Sequence, residues 1–261
     1  MTRKNAASQV SKAGASTITQ VDVTIFVNGP TKSIEVQTAL LEAIASEPQI
    51  APTHGSLDER KRLPFSAKTL AAEAGTQIGD PILWRLTQPK YWAVIEATPL
   101  PIARLSFDYE DIEPEHVAPV CKAIARLVDK LQPVYAALDF KWSELTDEHV
   151  NAMQGFDAKA LHYCKFGPPG VFVWTWFGPR LVELLGEALL REQGATMTPW
   201  GGASLPLVEQ PWTATFDEMR KRQVAIDNAL RAKGFFGDYS RPVPQKGAQW
   251  IPLAGPTKGR V

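Results

Sequence analysis

The chain has little of what usually announces a chemistry. Only two cysteines, Cys121 and Cys164, occur in 261 residues, and neither belongs to a C-x-x-C pair, which excludes a disulfide framework and a zinc ribbon. Histidine is as scarce, with His54, His116, His149 and His162, and no two stand at i and i+4 as an H-E-x-x-H zinc helix requires. There is no G-x-x-x-x-G-K-[ST] loop to cradle a phosphate, no G-x-G-x-x-G after a strand and no G-x-S-x-G elbow. Long apolar runs are missing too: nowhere do about eighteen apolar residues follow one another, and the first twenty residues hold no apolar signal core. The expectation is a protein of the reducing cytoplasm with two free thiols, no membrane attachment and no cofactor.

Net charge is also absent, at +0 over the whole chain, but its distribution is uneven. Residues 1–20 and 241–261 carry seven cations and no acid, so Val21 to Ser240 holds 21 basic residues against 28 acidic ones, a charge of −7. An acidic body argues against nucleic acid, whose affinity rests on phosphate neutralisation by Lys and Arg. It suits a basic protein partner, although a modest net charge also serves solubility alone.

What is present is a mixed pattern of strands and helices. Residues 1–20 read as a disordered basic tail and 241–261 as an irregular basic tail broken by Pro and Gly, with one domain over 21–240. VDVTIFVNG, YWAVIEAT, IARLSFDYE, VYAALDF and GVFVWTWF read as strands, and the stretch from Glu47 to Pro64 as a long loop. Helices are expected at SIEVQTALLEAIASE, at Ser66 to Ala74 and at TDEHVNAMQG. Val117, Val120, Cys121, Ile124, Leu127, Val128 and Leu131 recur at helical spacing and mark the best-defined helix. A last helix starts at the Thr215–Glu218 capping box. This order predicts an α+β fold, a largely antiparallel sheet with helices packed on one side.

Aromatic content is the exception to scarcity, with eight tryptophans. In VFVWTWFGPRLVELLG both faces of the strand are apolar, as in a covered central strand, and Gly178 and Pro179 suit the N-cap and first turn of the following helix. The cluster therefore reads as core. Candidate functional residues lie elsewhere. SFDYEDIEPEH places Asp108, Glu110, Asp111, Glu113 and Glu115 at the end of a strand, and PWGGASLPL places Trp200 on a turn as a candidate anchor. The same turn would let Trp200 fold back onto the sheet.

Two chemistries fit the acids. Asp108 and Glu110 share a strand face, and with Asp139 they would hold a divalent metal. With Lys141 beyond Asp139 that set resembles the acid-plus-lysine sites of metal-dependent nucleases. Alternatively the acids form a protein-binding patch, or a solvated loop leading into a helix whose dipole favours them. His162 and Cys164 alternate on a strand-like segment and would face the same way.

The succession WFGPRLVELLGEALL, PWGGASLPLVEQPW and GFFGDY resembles the immunity proteins of bacterial polymorphic toxin systems, above all the fifty-second catalogued immunity family. An aromatic strand, an F-G-P helix start, a Gly-Gly segment and a late tryptophan carry the resemblance, over roughly Leu100 to Pro252. It implies a cytoplasmic, non-enzymatic protein that binds and neutralises a secreted toxin. That toxin is typically a nuclease delivered by contact or by type VI secretion, with a basic groove that an acidic surface would occlude. The family has no fixed catalytic residues, so the toxin-binding candidates remain Asp108, Glu110, Asp111, Glu113, Glu115 and Trp200.

Overall fold

The computed structural model describes residues 17–29, 33–76, 79–96, 100, 102–143 and 158–239. The expected helix at TDEHVNAMQG, His149, the C-terminal tail 241–261 and residues 1–16 of the expected N-terminal tail 1–20 lie outside them; the last part of that tail is not disordered, since the first strand begins at Ile18.

One ten-stranded sheet organises the chain, every pairing antiparallel, in the order β3-β2-β4-β5-β6-β1-β7-β8-β10-β9. The strands are β1 Ile18–Asn28, β2 His54–Ser56, β3 Leu63–Pro64, β4 Ile82–Arg85 and β5 Tyr91–Glu96, followed by β6 Ile102–Glu110, β7 Tyr135–Trp142, β8 Trp174–Phe177, β9 Thr196–Met197 and β10 Ala203–Pro206. The helices are α1 Ile34–Ala45, α2 Ala67–Thr76, α3 Pro114–Leu131, α4 Ala160–Phe166, α5 Pro179–Leu185, α6 Glu187–Glu192 and α7 Phe216–Arg231. The α+β class and the antiparallel sheet expected from the sequence are both present.

The centre is the triplet β6-β1-β7. Val21 to Val27 are all buried, so β1 is covered on both faces. One face carries Val21, Val23 and Ile25, with Tyr109, Phe107 and Leu105 as their partners on β6 and Phe140, Leu138 and Ala136 on β7. Helix α3 packs here with Cys121 beside Tyr109, through the apolar stripe that its spacing predicts. Beyond the end of α1, Glu47 is buried and accepts from Arg126 Nε at 2.9 Å and from Lys130 Nζ, which locks α1 to α3 through a paired carboxylate.

The same face contains an unpaired group. Tyr109 is fully buried, its ring 5.1 Å from that of Tyr91, and its hydroxyl has no hydrogen-bond partner among the described residues. A buried hydroxyl without a partner forfeits its hydration for nothing. Tyr109→Phe should therefore leave stability unchanged or raise it by up to about 1 kcal/mol in urea unfolding. A clear loss would mean that the hydroxyl has a partner.

Three sequence expectations change. The stretch read as a loop from Glu47 contains β2 and β3, three and two residues long, which only their neighbours hold extended. LHYCKF is helix α4 and not a strand, so His162 and Cys164 stand about 200° apart around its axis and do not face one way. The aromatic strand is shorter than GVFVWTWF, because residues 170–173 are irregular. Its role as core holds: Trp176 and Phe177 are buried and the Trp174 and Trp176 rings stack at 4.9 Å. Gly178 and Pro179 do occupy the N-cap and first turn of α5, and Thr215 and Glu218 close the capping box of α7.

Candidate functional site

On the other face of the sheet the alternation turns polar. Gln20, Asp22 and Thr24 on β1, Arg104, Ser106, Asp108 and Glu110 on β6, and Asp139 and Lys141 on β7 share it, because each is a register partner of the next strand's member or lies two residues from one. One end of this face is closed by α4, whose Tyr163 stacks on Phe26 at 4.4 Å. Its first backbone N–H, that of Ala160, reaches Glu96, which also pairs with Arg104 at 3.0 Å. Tyr135 donates to the carbonyl of Gly170, binding the segment before β8 to the same face.

At the other end the register draws a transverse row across six strands: His54, Trp84, Trp92, Asp108, Asp22 and Asp139 are cross-strand partners in turn. Directly opposed residues on adjacent strands have Cβ atoms about 5 Å apart, so the three aspartates are forced into one line of like charge. The Gln20 amide donates to Asp22 and to Asp108, at 2.7 Å each. Lys141 Nζ lies 3.2 Å from Asp22. Asp139 accepts from the backbone N–H groups of Phe140 and Val173. Even so, burial and then the neighbouring Asp22 charge push the Asp108 carboxyl up to about 7. Burial pushes Asp139 to about 7 as well, against its two backbone hydrogen bonds.

Trp92 and Asp108 open onto a cleft of about 490 Å³, which Trp84, Glu110, Asp111 and the cations Arg62, Arg85 and Lys90 also line. Trp92 is 44% exposed although it lies mid-strand between buried neighbours. Asp111 sits in the turn after β6 with φ 50°, in the left-handed region. Glu113 is the N-cap of α3 and Glu115 lies in its first turn, both exposed. His116 Nε2 approaches Glu113 at 3.5 Å.

The structure thus divides the predicted residues. Asp108, Glu110 and Asp111 share the cleft, and Glu113 and Glu115 belong to the start of α3. Trp200 belongs to neither, since its indole N–H donates to Asp129 on α3 at 3.1 Å and its ring lies so close over Gly202 that a Cβ there would meet it at 2.2 Å. The turn folds it back, which removes it as a free anchor. Asp108 and Asp139 share the row but flank Asp22, two strands apart, and so do not converge on one ion. Among the described residues, the acids and histidine close enough to share an ion are Glu113, Glu115 and His116, with ligand atoms within 4.8 Å of one another.

Two members of the site escaped the sequence reading. Asp22 lies in VDVTIFV, where valine and polar residues alternate; that alternation, in phase with the polar positions of β6 and β7, was the available signal. Trp92 read only as part of a strand. A second cleft, of about 550 Å³, lies between Pro169–Phe172 and α7. Its charges are committed to the fold, Asp227 pairing with Arg231 at 2.8 Å and accepting from Val171 N–H.

No family model matches the chain, and no curated protein does; the immunity-family resemblance therefore has no match of its own. Among solved structures the chain is similar to Pseudomonas aeruginosa T6SS protein PA0821, with a TM-score of 0.55 and 11% identity, covering 86% of this chain and 81% of that one. At that identity the likeness is one of fold. No helix among the described residues is long and apolar enough to cross a membrane.

Proposed function

We propose that the protein is an immunity protein that binds a secreted antibacterial toxin, a basic nuclease domain by expectation, and neutralises it in the cytoplasm by protein–protein contact without chemistry of its own. The observation that carries this reading is the cleft, where the acids picked out at the end of β6 lie beside an exposed tryptophan. An exposed tryptophan with carboxylates to one side suits a protein-binding hot spot that meets a basic group of its partner. The acidic body adds long-range steering toward such a partner. The fold likeness to a T6SS protein is compatible with a role related to a secretion system.

The test is direct. The full chain, co-expressed with the product of the adjacent open reading frame, should co-purify with it and restore growth to cells that the product alone poisons. Failure of both, with the chain folded, removes the reading.

A further inference from the structure

Three features meet at one corner of the cleft. Trp92 offers an exposed indole face, and among the described residues no cation sits on it, whereas its cross-strand neighbour Trp84 already carries the Arg62 guanidinium 5.8 Å from its ring centre. On the other side of Trp92 stands Asp108, with Glu110 two residues further on the same strand face. Behind Asp108, Asp22 adds a third carboxylate, which Lys141 pairs at 3.2 Å. The Gln20 amide holds Asp108 by one oxygen. Of the three cations that line the cleft, Arg62 lies on Trp84, Arg85 donates to the carbonyl of Ala51 at 2.8 Å, and Lys90 stands two residues before Trp92 on the same chain segment. The corner is therefore an exposed aromatic platform beside one part-buried carboxylate, Asp108, and one exposed carboxylate, Glu110.

We propose that this corner receives an arginine side chain presented by a protein partner, its guanidinium flat on the Trp92 indole and its N–H groups donated to Asp108 and Glu110. Arginine fits better than lysine because a planar guanidinium stacks on an indole while forking to two acceptors, which a compact ammonium does not do. The packing of Arg62 on Trp84 is the same contact made within the chain. This inference rests on reading the protein as one that binds another protein, and it names the group that the partner must supply.

Two measurements separate the inference from that reading. In the first, hexa-arginine and hexalysine peptides are titrated into the full chain while the tryptophan indole N–H resonances are followed, that of Trp92 being identified by its loss in Trp92→Phe. Hexa-arginine should move the Trp92 resonance most and bind tighter than hexalysine. Trp92→Ala and Asp108→Asn should each weaken it about tenfold. Both variants should fold, since Trp92 is exposed and Asp108→Asn removes a repelling charge, and melting curves check this. An unmoved Trp92 resonance, or affinity unchanged in both variants, overturns the inference. In the second, the same variants are tested against the co-purified toxin. A complex that ignores both substitutions overturns the corner as the contact but leaves the immunity reading intact. Arginine binding at the corner with no toxin complex does the reverse.

Discussion

Gly178→Ala should destabilise the protein by about 2 to 3 kcal/mol, although alanine is ordinarily a mild change and the φ of −68° at Gly178 suits it. The obstacle is space. A Cβ on Gly178 would lie 2.6 Å from the carbonyl oxygen of Pro133 and 2.8 Å from that of Val134, both backbone atoms. Neither can swing aside as a side chain would, because Gly178 N–H is itself bonded to Val134 O at 2.9 Å, which fixes the start of α5 against the connection between α3 and β7. Urea unfolding of the variant should show the loss with an unchanged slope. A change below about 0.5 kcal/mol would mean that the two segments separate easily. The F-G-P sequence thus marks a point of close backbone contact.

Acidification from pH 8 to pH 5 should stabilise the protein, by about 2 to 3 kcal/mol, where most proteins gain little or lose. Asp108 and Asp139 have folded values near 7 against an ordinary 3.8. A carboxyl with a raised value binds a proton more readily folded than unfolded, so stability is greatest below the ordinary value and falls as pH rises from there through 7. The sum of both shifts would exceed the figure given, but Asp108 is partly solvated and shares its charge balance with Asp22 and Lys141, which reduces it. Thermal melts across this range should rise toward pH 5 by about 5 °C or more. The double variant Asp108→Asn, Asp139→Asn should flatten the slope and melt higher than the native chain at pH 8, since the amide side chain placed at position 139 keeps an acceptor for the Val173 N–H. A native chain that melts highest at pH 8 would contradict the account. Below about pH 3.8 the gain from the two aspartates is complete, and the trend should reverse as Glu47, held below the usual 4.5 by Lys130 and Arg126 against its burial, takes up its proton.

The two predictions draw on different levels of legibility. The fold class, the long strands and α3 were readable because each is long enough for period to speak: α3 spans Pro114–Leu131 and the alternation in IARLSFDYE covers all of β6. Strands of two to four residues, such as β2, β3 and β4, have no period of their own and exist because a neighbour supplies the hydrogen bonds. LHYCKF alternates well enough to imitate a strand; as a helix it stacks Tyr163 on Phe26 and gives its first N–H to Glu96, contacts distant in sequence. The acids at the end of β6 were visible as a local cluster. Asp22 was not, because its importance depends on which residues lie opposite it, and register is a property of pairs of strands. The folding back of Trp200 was one of two readings its turn allowed, and what decides between them is the Asp129 acceptor on α3, distant in sequence.

The margins of the sheet have a further consequence. A ten-stranded antiparallel sheet would ordinarily present two long rows of free backbone groups on which other chains could polymerise. Here it is closed by β3, two residues long and ending in Pro64, and by β9, two residues long. Each margin offers too short a ladder to recruit a strand. Among the described residues the sheet therefore leaves little free edge on which copies of the chain could pair strand to strand.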